Sequence, residues 1–175
     1  QQVNRVMVPF LNNPDMESEK QAEKNLKVLM KGLRDSAKQE RYEKIYLEQG
    51  LPAVAEIIAK ETELIWRNQV EADYRNAGGV ITGKEAYRQY LSRCEGCCRM
   101  LEYAADLYPD KYDTARVPVY RVMQQIVRFC MDSKGYEIKK PLLGKETRNE
   151  IPIPETIRKS MQKRMELCEK QQDAI

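Results

Sequence analysis

The stretch RCEGCCRM, Arg93 to Met100, holds Cys94, Cys97 and Cys98, and Cys130 and Cys168 complete the chain's five cysteines. Thiols at this density suggest a zinc or cluster site, or a redox pair. A tetrahedral zinc site takes four ligands, usually from two short knuckles, and Cys130 or Cys168 could join Cys94, Cys97 and Cys98 only if the fifth and sixth helices pack there. Three ligands from one helical turn converge poorly on a point. On a helix, Cys94 and Cys98 fall in register with Leu91 and Leu101, where a small hydrophobe suits close packing. The motif therefore reads as core cysteine, and no metal or cofactor is expected. Cys97, at the flank of the seam with Tyr90 and Ala104, is the place to look for a ligand or a reactive thiol.

The chain has no histidine. That removes the usual general base, the usual zinc nitrogen and every Ser-His or Cys-His arrangement. No pair of polar groups has a spacing that suggests catalysis, and the chain is read as a non-enzyme.

AGGVITGKEA matches the phosphate-binding pattern G-x-x-x-x-G-K-[ST] from Gly78 to Lys84, then places Glu85 where the magnesium-binding hydroxyl belongs. The preceding RNQVEADYRNA reads as the polar end of a helix, whereas a phosphate loop follows a buried strand. Gly78 and Gly79 are better explained as a helix stop, with Thr82 and Glu85 spaced as a capping box for the next helix.

Lys20, Lys24, Lys27, Lys31, Arg34, Lys38 and Arg41 alternate spacings of four and three, which puts seven cations on one stripe. On a continuous helix the stripe is about 32 Å long at 1.5 Å per residue. It lies about 200° from the apolar seam Ala22, Leu26, Leu29, Leu33, because the two sets are offset by two residues. The plain reading is a solvated face, with Glu23 and Glu40 placed for pairs with Lys27 and Lys44. The sharper readings are a track for a phosphate backbone and a dock for an acidic protein or membrane surface. Lys139, Lys140, Arg158, Lys159, Lys163 and Arg164 form a second basic group. Tyr87, Tyr90, Tyr103, Tyr108 and Tyr120 could stack on bases, although most fall on apolar seams where packing is the simpler role.

The elements that must position these residues are helical. Asn13-Pro14-Asp15 reads as a helix start, and the first helix spans about 14 to 35, restarting with a kink at Asp35-Ser36. Tyr42, Ile45 and Tyr46 lead to a stop at Gly50. Pro52 opens a third helix carrying Val54, Ile57, Ile58, Ile65, Trp66 and Val70. The fourth has the clearest period, Tyr87, Leu91, Cys94, Cys98, Leu101, Ala105, Tyr108, and stops at Pro109. A fifth is expected from Pro118, with Val119, Val122, Met123, Ile126 and Cys130, although VPVYRV at 117 to 122 could be a strand. A last helix carries Ile157, Met161, Met165 and Cys168. The predicted fold is all-α, a bundle of five or six amphipathic helices, mostly antiparallel, with a C-terminal helix after a loop. The predicted organisation is a leader at 1–13, the bundle core at 14–135, a loop or linker at 136–153 and a C-terminal helix at 154–172 packing on the bundle.

At 175 residues, 42% hydrophobic and 33% charged, the chain has the composition of one globular domain. Thirty Lys and Arg against 27 Asp and Glu leave +3, so global charge selects neither nucleic acid nor membrane. No apolar run is long enough for a membrane span. An odd number of cysteines and the absence of any N-x-[ST] sequon suit an intracellular, reducing compartment, nuclear or cytoplasmic. The chain opens at Gln1 and is expected to be part of a longer polypeptide. The function expected is a protein interaction or scaffold domain, with self-association through the fourth helix. The alternative is a nucleic-acid-binding protein that uses the basic stripe.

Overall fold

The computed structural model of the chain describes residues 14–173, so the leader at 1–13 lies outside the described residues. Six helical rods account for most of them. These are α1 (Pro14–Gly32), α2 (Ser36–Gln49), α3 (Leu51–Ile65), α4 (Lys84–Asp106), α5 (Asp113–Asp132) and α6 (Glu155–Asp173). The helical expectation, with a last helix set apart from the others near the C-terminus, is what the chain adopts. Three short strands accompany the helices: β1 (Ile81–Thr82), β2 (Gly135–Lys139) and β3 (Thr147–Glu150). None of the described helices is long and apolar enough to cross a membrane.

The chain forms two compact units. The first comprises the chain up to Ala59 together with Glu102–Val119, and the second comprises Lys60–Leu101 together with the chain from Tyr120 on. In the first, α1 buries Ala22, Leu26 and Leu29, and α2 buries Tyr42. The side of α1 is tied to the turn after α4: Asn25 Nδ2 donates to the Asp106 carbonyl at 2.9 Å, and Ser18 Oγ accepts from the Asp110 backbone N–H at 2.6 Å. Lys111 adds an ion pair to Glu19 at 2.8 Å.

The break between α1 and α2 has a definite chemistry. Asp35 caps α2 by accepting from the backbone N–H groups of Ala37 and Lys38 at 3.0 and 3.3 Å. Gln39 Nε2 then donates to the carbonyls of Met30 and Leu33, each at 2.7 Å, supplying donors to acceptors at the end of α1 and just beyond it. The corner is therefore built, and the helix is not continuous from 14 to 41.

In the second unit α3 runs on through a π-helical turn, Trp66–Glu71, and a last α-helical turn, Ala72–Asn76. Trp66 and Val70 in this turn are buried as the sequence period implies, while Ile65, just ahead of it, is 39% exposed. Gly78 and Gly79, at φ 82 and 78°, end the rod as expected.

Residues 136–153, read from the sequence as loop or linker, contain a β-hairpin instead. β2 and β3 pair antiparallel with Tyr136 opposite Glu150 and Lys139 opposite Thr147, and β1 pairs parallel with β2. β3 is exposed at all four residues and so leaves no alternating pattern to read. The stretch 117 to 122 is not a strand, because it lies inside α5. That helix begins at Asp113, five residues before Pro118, after a 3₁₀ turn at Asp110–Tyr112. Pro118 is tolerated near the start with its ring exposed, where it withdraws one N–H donor. The Val119, Met123, Ile126, Cys130 period outweighs the β-branched composition.

Candidate functional site

The cysteine motif sits in the middle of α4. Every residue of the expected seam is buried: Tyr87, Leu91, Cys94, Cys98, Leu101, Ala105 and Tyr108. Around the thiols of the second unit stand α5, which brings Cys130, and α6, which brings Met161, Arg164 and Cys168, all buried. Cys94 shares a hydrogen bond with Cys130, and together with burial this pushes its thiol far above the ordinary range. Burial does the same for Cys98, opposed in part by the Arg164 guanidinium. Cys97, expected at the flank and singled out for reactivity, is 7% exposed, and burial raises its thiol despite the nearby Arg93. Reactive thiols need the opposite shift, toward the thiolate. All five thiols are free. Among the described residues no group of three or more His, Cys, Asp or Glu side chains has a geometry that could hold a metal ion, so Cys94, Cys97, Cys98 and Cys130 do not converge as a ligand set.

An aromatic ladder borders this layer. Trp66 meets Phe129 edge-on at 5.6 Å, Phe129 meets Tyr74 edge-on at 6.4 Å, and Tyr74 stacks on Tyr90 at 4.9 Å. Tyr87 lies parallel to Tyr90 at 6.5 Å, and its hydroxyl reaches Ser133 Oγ at 2.8 Å. Tyr87 and Tyr90 thus spend their ring faces on protein, and Tyr108 and Tyr120 are buried as well. They are not platforms for bases. The Tyr87 ring also lies directly over Gly135 at the start of β2, where a Cβ would come within 2.4 Å of it.

The phosphate-loop likeness dissolves in the same region. β1 lies between Gly79 and Gly83 instead of before the glycines, and Lys84 Nζ pairs with Glu137 at 3.5 Å. Thr82 belongs to the strand, while Glu85 turns to Arg88 at 2.6 Å and to Gln89 at 3.4 Å, so the expected capping box does not form.

The cationic stripe divides at the corner. Lys20, Lys24, Lys27 and Lys31 stay on α1, all exposed, and span about 16 Å at 1.5 Å per residue. Arg34 is in the connection, exposed. Lys38 and Arg41 belong to α2, where Lys38 is half-buried and the Arg41 guanidinium lies 5.2 Å from the Tyr42 ring centre. The pairs expected for Glu23 with Lys27 and Glu40 with Lys44 are not made. Among the described residues the four lysines of α1 form no ion pair, whereas Glu19 on the same helix turns aside to Lys111. The second basic group also divides: Arg164 is only 8% exposed and donates to Ser160 Oγ at 2.7 Å, so it is no surface cation.

One exposed apolar residue on this face is not marked by the spacing of the cations. Val28 follows Lys24 by four residues and precedes Lys31 by three, and it is 62% exposed. An apolar side chain of this exposure beside four unpaired lysines is the surface feature that distinguishes α1. Its type suggested core, and only its angular distance from Ala22, Leu26 and Leu29 could have flagged it. No protein-family model, no curated protein and no solved structure matches this chain.

Proposed function

We propose that this chain is a non-enzymatic interaction domain whose outer α1 face docks an acidic, amphipathic segment of a partner protein in a reducing compartment. The carrying observation is the combination of Lys20, Lys24, Lys27 and Lys31, unpaired among the described residues, with the exposed Val28 beside them. Carboxylates on a partner helix would meet the lysines, and an apolar residue a turn away would cover the valine. A phosphate backbone has no use for the valine, and a row of about 16 Å tracks only a short piece of it. Of the tyrosines that could have supplied base stacking, Tyr87 and Tyr90 are stacked within the chain and Tyr108 and Tyr120 are buried, which leaves only the half-buried Tyr103. Self-association through the α4 seam is not part of this reading, because that seam is spent in the chain's own core. The non-enzymatic part rests on the lack of histidine and on thiols held protonated by burial.

The test is a fluorescence titration with a labelled helical peptide carrying glutamate on one face and leucine on the other, beside labelled single- and double-stranded oligonucleotides. The parent is compared with Lys24→Glu/Lys31→Glu and with Val28→Ser. Peptide binding is expected to weaken at least about tenfold in the charge-reversed variant and severalfold in Val28→Ser, and to fall with salt. Tighter binding of oligonucleotide, indifferent to Val28→Ser, would replace this reading with the nucleic-acid one.

A further inference from the structure

The β2–β3 hairpin ends in a seven-residue connection, 140 to 146, and its centre reads Pro141-Leu142-Leu143-Gly144. Leu142 and Leu143 are 105% and 93% exposed, the two most exposed large hydrophobic residues among those described. Pro141 fixes its own φ and Gly144 takes φ 115°, a backbone that side-chain-bearing residues rarely adopt, so the turn that presents the leucines is held by its chemistry. Cations surround them on both strands. Lys139 and Lys140 precede the tip, Lys145 and Arg148 follow it, and Glu146 is the only carboxylate between residues 139 and 148. All five are exposed. None of the three lysines forms an ion pair among the described residues, and the Arg148 guanidinium lies 4.7 Å from the Tyr136 ring centre, at the side of the hairpin.

We infer that this hairpin tip is an insertion element for an anionic lipid surface, with Leu142 and Leu143 entering the acyl boundary while Lys139, Lys140 and Lys145 rest among acidic headgroups. A bilayer presents negative charge above an apolar layer, and the tip presents the complement in the same order: apolar apex, cationic collar. The apex is convex and its leucines are adjacent. Neither the spaced anchors of a helix in a groove nor the alternating ones of an added strand are present, so a protein groove fits it less well. Two signals are needed because either alone is weak. Each lysine near an anionic leaflet contributes about fivefold in affinity, and burying a leucine side chain contributes at least about tenfold. This surface lies in the second unit, on residues unrelated to α1, and it stands whether or not the α1 face binds an acidic partner.

The experiment uses the full chain with phosphatidylcholine vesicles, pure or containing about a third phosphatidylserine, and measures the fraction that sediments with lipid. The parent is expected to bind the anionic vesicles and not the neutral ones. Leu142→Ser/Leu143→Ser is expected to lose at least about tenfold in affinity. Lys139→Glu/Lys140→Glu/Lys145→Glu is expected to lose binding altogether, and Lys24→Glu/Lys31→Glu on α1 to keep it. Because every altered side chain is exposed, far-ultraviolet dichroism and melting should match the parent in all variants. Leu142→Trp supplies a depth reading against the buried Trp66, and its emission should shift to the blue only with anionic vesicles. Failure of the parent to bind anionic vesicles, equal binding by the double serine variant, loss of binding on α1 reversal, or an unshifted Leu142→Trp emission would each overturn the proposal.

Discussion

Two rows of side chains in this protein share one spacing and have opposite fates. Tyr87 to Ala105 on α4 and Lys20 to Lys31 on α1 both alternate threes and fours, so both form a stripe on one side of a helix. The first is buried along its whole length and the second is exposed along its whole length. Spacing defines a face, and side-chain chemistry decides which way the face turns. The cysteines of α4 follow the leucines inward, where burial raises the thiols of Cys97 and Cys98 and the Cys130 hydrogen bond with burial raises that of Cys94. The residues that first suggest chemistry have therefore been taken into the packing, and the lysines of α1 stay at the surface.

The comparison is broken most severely by removing bulk from the buried row. Leu91→Ala should cost roughly 3 kcal/mol through lost burial and the cavity left behind, whereas Val28→Ala should stay within about 0.5 kcal/mol. Chemical denaturation of both variants checks this, and similar losses would mean that the two rows do not differ as described. Gly135→Ala should come next, at roughly 1–3 kcal/mol, because the added Cβ must displace the Tyr87 ring from 2.4 Å. A melting curve like the parent's would show that the ring can move aside freely.

Alkaline pH tests the same core without mutation. The thiols of Cys94, Cys97 and Cys98 and the phenols of Tyr87, Tyr90 and Tyr108 are all raised in the folded chain, chiefly by burial except at Cys94, where the Cys130 hydrogen bond leads. Above an unfolded thiol value of about 8.5 the unfolded chain has shed protons that the folded chain keeps, so stability is complete below that pH and falls as pH rises. Tm is expected to drop steadily between about pH 8.5 and 10.5 and to be flat between about pH 6 and 8, where a chain without histidine has little to titrate. A Tm that held or rose on the alkaline side would place the thiols in water. The smallest effect belongs to the lysines: Lys24→Gln and Lys27→Gln should each leave stability within about 0.5 kcal/mol, as solvated side chains do.

Much of this was legible because helices write their period into sequence. The seam of α4 is as the spacing implies, that of α1 holds at Ala22, Leu26 and Leu29 but ends before the half-buried Leu33, and Gly50 and Gly78-Gly79 stop their helices with φ 88, 82 and 78°. What escaped were features set by neighbours distant in sequence. β1 has two residues and β3 is wholly exposed, so neither carries an alternation, and their pairing depends on β2 being brought beside both. The corner at Asp35 was legible as a kink, but the bonds from Gln39 that complete it span six and nine residues and leave no periodic trace. The π turn at Trp66–Glu71 left no trace in the apolar spacing, since Trp66 and Val70 are buried within it. At the candidate site the cations could be read from charge alone. Val28 could not, since its type says core and only its surroundings say surface.

Thiol accessibility distinguishes most directly between a packed RCEGCCRM segment with an exposed α1 face and the reverse arrangement. The folded protein carrying Val28→Cys is treated with a thiol-reactive label, and modification of each cysteine is followed by mass spectrometry. The introduced thiol on α1 is expected to be modified at once, while Cys94, Cys97, Cys98, Cys130 and Cys168 react only at the rate at which the chain unfolds. Rapid modification of Cys97 in the native protein, with the introduced thiol protected, would reverse the assignment of the two faces.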